Sequence, residues 1–214
     1  MRNVRIFYKK YGRLKFISHL DMTRFMARLI AKSKIPVWYT EGFNQHIYLN
    51  FALPLSLGFE SDCEILDIRI TDENFSNKQC LEALKEISPA DIEFYYCDEP
   101  KMTVKEIGFC DYSLDISRAD KNTVSKLQDF LNNDSIICEK KSKKGKMKEI
   151  DLIPKIKCWD FSGNLLNFRL VAGTEDNLNP TLIMDTFFEK SETEPFFYTV
   201  KRLNVLDRKE NKFI

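Results

Sequence analysis

Val4-Arg5-Ile6-Phe7-Tyr8-Lys9, closed by Gly12 and followed by Ser18-His19-Leu20-Asp21-Met22-Thr23-Arg24-Phe25-Met26, is the stretch on which the fold turns. In the first run Val4, Ile6 and Tyr8 fall on one side of an extended chain and Arg5, Phe7 and Lys9 on the other, the two-residue period of a strand. In the second, Met22, Phe25, Met26, Leu29 and Ile30 recur at helical spacing, which predicts a helix over 18–34, and Ser18 with Asp21 makes an S-x-x-D start signal. Pro36 stops it. Working outward, residues 37–40 read as a short strand before the loop Glu41-Gly42-Phe43-Asn44-Gln45-His46, and 47–53 and 63–71 as further strands joined by Pro54-Leu55-Ser56-Leu57-Gly58. A second helix over 77–87 carries Cys80, Leu81, Leu84 and Ile87 on one side, and Pro89 leads into a strand over 92–97. Strand, helix, strands, helix, strand is the order of the split β-α-β, ferredoxin-like motif.

The apolar pattern lapses near Glu99-Pro100 and the same order resumes: a strand over 112–116, a helix over 123–131, a strand over 136–139. Turns at 140–148 and at Phe161-Ser162-Gly163-Asn164 precede a strand over 166–171, a helix opening at Asn179-Pro180 and a closing strand over 197–206. The expected fold class is therefore α+β, two tandem ferredoxin-like (split β-α-β) halves at 1–105 and 106–214. Residues 149–160 fit that scheme poorly and read as an insertion.

A chain of 214 residues suits two domains of about 100 residues each, a size at which each can bury its own core. With 43% hydrophobic and 30% charged residues the composition is that of a folded protein, which excludes a disordered one. The opening MRNVRIFYKKYGRLKF has no continuous apolar run, so neither a signal peptide nor a membrane span is expected, and the expected location is cytoplasmic. Cys63, Cys80, Cys97, Cys110, Cys138 and Cys158 are scattered with no C-x-x-C pair, against zinc knuckles and cysteine-ligated clusters; most are expected to be buried as small hydrophobes. Phosphate-loop, dinucleotide, zincin and nucleophile-elbow signatures are all absent, and no metal or other cofactor is expected.

The net charge of +1 hides a segregation. Residues 1–50 hold ten Lys/Arg against two Asp/Glu, whereas residues 59–100 hold three against twelve, and a second basic island at 138–157 has eight Lys against three acids. Separate basic patches on a near-neutral chain point to local anion binding. Asp21, Arg24, Arg28 and Lys32 lie at i, i+3, i+7 and i+11 and share a helix face on which arginines at one-turn spacing can grip successive phosphates, while the helix start at Ser18 and His19 adds backbone donors. The plainer reading is a solvated face with an Asp21–Arg24 or Asp21–Arg28 pair.

His19 at a helix start and His46 in a loop beside Glu41 and Asn44 admit three readings: polar contacts to a ligand or RNA, a general acid/base pair, and structural hydrogen bonds at a cap or turn. A metal site from His19, His46 and Asp21 is disfavoured because His19 and Asp21, two apart on a helix, point different ways. Phe7 and Tyr48 alternate with Arg5, Lys9 and Asn50 and would form an aromatic-basic platform if that sheet face is open. The run Lys140, Lys141, Lys143, Lys144, Lys146, Lys148 has the form of an electrostatic finger for phosphates, and equally of a solvated turn.

Tyr11-Gly12-Arg13-Leu14-Lys15-Phe16-Ile17-Ser18-His19-Leu20-Asp21 with Arg24 and Arg28, then Glu41-Gly42-Phe43-Asn44-Gln45-His46 and Phe51-Ala52-Leu53-Pro54-Leu55-Ser56-Leu57-Gly58, resembles the radical-SAM-linked (radical-SAM-associated) bacterial proteins, a family of unknown function. Its members are encoded beside, or fused to the C-terminus of, a cobalamin-domain-like radical SAM protein. The resemblance covers about the first 70 residues strongly and the remainder loosely, and the H-P usual in the middle motif is replaced by Gln45-His46-Ile47. It implies a stand-alone accessory to a radical SAM partner, since the chain has no C-x-x-x-C-x-x-C triplet to hold a cluster of its own.

The expected function is a non-catalytic RNA-binding or substrate-presenting accessory protein. Arg24, Arg28 and Lys32 would hold phosphates, and His19, Asn44 and His46 would make specific contacts. The alternatives are an RNA-cleaving or RNA-modifying enzyme using His19 and His46, and a purely protein–protein adapter docking through the acidic 59–100 stretch.

Overall fold

A computed structural model of the protein describes residues 1–141 and 147–214. Strand β1 (Arg2–Lys10) runs into a 3-10 turn, Gly12–Phe16, and then helix α1 (His19–Lys32). Ser18 caps α1 by accepting the Asp21 amide at 3.1 Å. The helix ends two residues before the expected Lys34, which takes a left-handed φ of 60°. After it the expected strand over 37–40 is reduced to two isolated bridges, Val37 with Ile70 and Tyr39 with Ile47. Strands β2 (Leu49–Phe51) and β3 (Glu60–Ile70), helix α2 (Asn77–Glu86) and strand β4 (Ile92–Asp98) follow. α2 carries a full capping box between Ser76 and Gln79.

The second series begins with β5 (Ile107–Asp115) and α3 (Lys121–Leu131), capped by Asp120 on the Thr123 amide at 2.7 Å. β6 (Ile137–Lys141) and β7 (Met147–Asp151) form a separate antiparallel pair, and β8 (Ile156–Ser162) turns at Gly163 into β9 (Leu165–Val171), so the segment at 149–160 divides between β7 and β8. Helix α4 (Pro180–Lys190) and strand β10 (Thr199–Asp207) complete the series. The chain is thus a mixed α+β protein with four α-helices among the described residues.

Two compact units result. The first comprises Met1–Glu106, Lys201–Asn204 and Lys212–Ile214; the second comprises Ile107–Val200 and Val205–Asn211. In the first unit the strand order is β4-β1-β3-β2, antiparallel throughout, and Lys201 and Arg202 of β10 pair in parallel with Glu60 and Ser61 of β3, which makes the sheet mixed. Val4, Ile6 and Tyr8 of β1 pack there against Met22, Met26 and Ile30 of α1 and Leu84 of α2. Burial of such side chains supplies about 1.5–3 kcal/mol each. In the second unit β5 pairs antiparallel with β9, and β9 with β8. Leu127, Phe130, Ile183 and Phe187 bring the helices' apolar sides into its core, and Phe130 meets Phe187 edge-on at 5.5 Å.

Cys80, Cys97, Cys110 and Cys138 are buried, Cys63 is half-buried and Cys158 is exposed. Among the described residues no helix is long and apolar enough to cross a membrane.

Candidate functional site

The charge segregation of the sequence is largely consumed inside the first unit. Arg5 binds Asp67, Lys9 binds Glu93, Arg13 binds Asp91, Lys15 binds Glu60 and Arg2 reaches Glu99, so the basic opening stretch is matched by the acidic one that follows. Lys201 and Arg202 take Asp62 and Glu64. Among the described residues, Lys10, Arg28, Lys32 and Lys34 are the cations of the first fifty residues left without an ion pair.

Two of these lie on α1. Arg24, Arg28 and Lys32 line one cleft of about 390 Å³ with Asp21, and its apolar side is made by Phe25 and Leu29 of α1 with Ile87 and Pro89 beyond α2. Helical periodicity creates this arrangement: the i+3, i+7 and i+11 positions after Asp21 bring three cations to the cleft, while Met22, Met26, Leu29 and Ile30 turn into the core. Asp21 is occupied twice, accepting the Ser18 hydroxyl at 2.8 Å and Arg24 Nη1 at 3.3 Å. The Asp21–Arg24 pair is exposed and therefore contributes about 0–1 kcal/mol. The cleft keeps a surplus of positive charge beside a half-buried aromatic ring, a combination that can hold an anion attached to a planar apolar group.

His19 sits elsewhere. Its ring meets Phe51 of β2 edge-on at 5.1 Å and borders a second, smaller pocket. His46 closes its own loop: its amide donates to Thr40 Oγ1 at 3.2 Å, its carbonyl accepts the Thr40 amide at 2.8 Å, and Nδ1 lies 3.0 Å from the Asn44 carbonyl. Nδ1 also lies 3.1 Å from Thr40 Oγ1, so the ring is tied into the loop through two neighbours. Glu41 and Asn44 are exposed on the same loop. The two histidines therefore serve different local structures: His19 borders the smaller pocket, and His46 belongs to neither pocket lining.

Lys140 and Lys141 fall on β6, and Lys143 and Lys144 lie outside the described residues. The face expected to form an aromatic-basic platform is closed on β1: Arg5 and Phe7 are buried, Arg5 against Asp67 and Phe7 beside Tyr96 with ring centroids 5.6 Å apart. Tyr48 is instead stacked with a cation, the Arg69 guanidinium lying 4.5 Å from its ring centroid and 5.0 Å from that of Trp38.

The smaller pocket collects Tyr8 and Lys10 from β1, Glu64 from β3, His19 and Met22 from α1, and Phe51, Pro54 and Leu55 from the segment after β2. Glu64 is held by Arg202 Nη2, and Arg202 also donates to the Leu53 carbonyl at 2.9 Å. Burial pushes the Lys10 amine below its usual range, partly opposed by the Glu64 charge. Burial likewise raises the Tyr8 hydroxyl well above the ordinary tyrosine range, and Glu64 adds to the effect.

A family model described as "Uncharacterized protein conserved in bacteria (DUF2344)" matches residues 3–180. The chain belongs to the DUF2344 family. No curated protein matches it. The DUF2344 match runs from β1 into the start of α4 and contains every residue that lines the two pockets.

Charge counting along this DUF2344 chain singles out the α1 stripe but passes over Lys10. The signal that finds Lys10 is strand parity: Val4, Ile6, Tyr8 and Lys10 share one side, so a strand extended by one residue puts a lysine at an inward position. Arg202 and Glu64 carry no comparable signal, because their pairing joins positions 138 residues apart.

Proposed function

We propose that this protein is a non-catalytic RNA-binding accessory that presents its bound RNA or substrate to a radical SAM partner, through the α1 cleft. The observation that carries this reading is the joint lining of one cleft by Arg24, Arg28 and Lys32 on one side and Phe25, Leu29, Ile87 and Pro89 on the other. Guanidinium and ammonium groups bind phosphate oxygens, and the aromatic wall accepts a base face, a pairing suited to single-stranded RNA. A cleft of about 390 Å³ also lies in the range that accommodates one small planar ligand unit. The radical SAM partner rests on the resemblance of the motifs at Tyr11 to Asp21 and Phe51 to Gly58. Exposed Phe16, Leu20 and Leu57 on those motifs favour a protein contact there.

Both units read as ferredoxin-like halves. The order β4-β1-β3-β2 with two helices supports this for the first, and β5, β8, β9 and β10 with α3 and α4 repeat the element order in the second, the β6–β7 pair standing as an insertion. The RNA reading is tested by mixing the purified protein with total cellular RNA at low salt. The parent chain should retain RNA, and the Arg24→Glu/Arg28→Glu/Lys32→Glu variant should lose it; equal retention by a folded variant overturns the assignment of the cleft.

A further inference from the structure

Arg24, Arg28 and Lys32 stand along the α1 cleft, each four residues from the next. At a rise of about 1.5 Å per residue the steps between them are about 6 Å and the whole row is about 12 Å long. Four residues turn an α-helix by little more than one full turn, so the three side chains stay on one side of it. Arg28 and Lys32 make no ion pair or hydrogen bond among the described residues, and Arg24 has only its exposed contact with Asp21. The row is bounded at both ends. Asp21 sets a carboxylate at its start, and α1 stops at Lys32, where the terminal carbonyls of the helix disfavour a further anion.

That spacing discriminates between polyanions. The phosphates of a nucleoside triphosphate share bridging oxygens, so its charge is gathered into a span shorter than the row. Successive phosphates of a nucleic-acid strand are held a whole sugar apart, and a strand laid along α1 gives each cation a phosphate of its own. The facing wall adds a second restriction. Phe25, Leu29, Ile87 and Pro89 bring no side-chain donor or acceptor to it, and Asp21 is already engaged by Ser18 and Arg24. A base against this wall is stacked and its edge is not read. Phe25 is the one aromatic ring among the described residues of the lining, so one base of the stretch finds a ring face.

We propose that the α1 cleft takes an unpaired stretch of strand three phosphates long, one phosphate on each of Arg24, Arg28 and Lys32 and one base on Phe25, whatever the identity of the bases. This assignment deepens the RNA reading of the cleft and rests on it. It makes free nucleotides poor ligands, because their charge is too compact to reach all three cations.

Oligouridylates of two to six nucleotides, without terminal phosphates, serve as probes. Each competes at fixed low salt with a labelled mixed-sequence single-stranded RNA for the full chain. Affinity should rise about tenfold with each added phosphate up to the tetranucleotide, whose three phosphates fill the row. From there to the hexanucleotide it should gain no more than about threefold, the number of registers that the longer chain offers. Lys32→Gln alters an exposed side chain without an ion pair, so it keeps the fold, and it should move this plateau back to the trinucleotide. ATP should compete at least about tenfold less well than the tetranucleotide, and tetracytidylate should match tetrauridylate within about threefold. Where the labelled RNA binds, three results each overturn the three-phosphate assignment and leave the RNA reading standing: ATP as good as the tetranucleotide, a plateau unmoved in Lys32→Gln, or affinity still rising tenfold per phosphate beyond four nucleotides. A tetracytidylate that differs from tetrauridylate by more than about tenfold overturns the indifference to base. Labelled RNA that does not bind at all overturns both readings.

Discussion

Arg5 and Asp67 face each other at paired positions of β1 and β3 and are joined by two parallel hydrogen bonds, Nε to Oδ1 at 2.7 Å and Nη2 to Oδ2 at 2.9 Å. The pair is nearly sealed from water, and Arg5 also donates to the Met102 carbonyl at 2.9 Å while its guanidinium lies 4.6 Å from the Phe213 ring centroid. It joins the basic and acidic stretches of the sequence at the middle of the sheet. Truncating one partner strands a buried charge, so Arg5→Met or Asp67→Leu alone should lower stability by about 3–5 kcal/mol. The Arg5→Met/Asp67→Leu double variant should lose much less than the sum, as read by urea denaturation. Simple additivity of the two losses would mean that the pair is not coupled.

The start of α1 depends on Ser18, whose hydroxyl oxygen accepts the Asp21 amide. Ser18→Ala should destabilise the first unit by about 1 kcal/mol and speed hydrogen exchange at the Asp21 amide. Unchanged exchange there would show that the cap does not hold the helix start.

How much of this was legible in the sequence varies with the range of the interaction. Local signals carried far: the Ser18 and Asn179 starts, the apolar faces of α1 and α2, and the strands at Val4 and Ile92 follow from spacing over a few residues. Residues 37–40 misled because β-branched and aromatic composition suggests a strand, yet only two of them find a bridge partner. The basic stripe of α1 was visible, but not why it matters: only the fold reveals that Arg5, Lys9, Arg13 and Lys15 are already matched by acids from the next stretch. The platform of Phe7 and Arg5 failed for the same reason, since Asp67 draws Arg5 inward. The Lys10 pocket needs β1, β3, α1 and the Phe51 segment together, and no single window of sequence contains it.

Acid should weaken the second unit. Arg169 binds Asp111 at 2.7 and 3.1 Å and Glu210 at 2.7 Å, and Lys157 reaches Glu210 at 3.2 Å. The Arg169 hydrogen bond, followed by that of Lys157, holds the Glu210 carboxyl below its ordinary 4.5. The unfolded chain then binds the proton first on acidification, so the stabilisation is present above pH 4.5 and is lost as pH falls through the lower folded value. Glu210→Gln should flatten the fall in denaturation midpoint below pH 4.5. An identical profile for parent and variant would remove Glu210 from the acid response.

Gly108 on β5 has no space for a side chain, because a Cβ there would fall 2.7 Å from Arg208 Cα and 2.9 Å from its amide nitrogen. Both neighbours are backbone atoms, which cannot rotate away. Gly108→Ala should cost about 1–3 kcal/mol of stability in thermal or urea unfolding. A neutral effect would show that β5 and the Arg208 segment can separate freely.

The most direct test of the proposed RNA role is the salt dependence of binding to a mixed-sequence single-stranded RNA, followed by fluorescence anisotropy in the parent chain and in Arg28→Gln/Lys32→Gln. Both residues are exposed and free of ion pairs among the described residues, so the substitutions should leave the fold intact. If the cleft holds phosphates, the slope of log affinity against log salt should be shallower in the variant by about 1.4, that is ~0.7 for each phosphate no longer neutralised. Equal slopes and equal affinities in the two proteins would contradict the account.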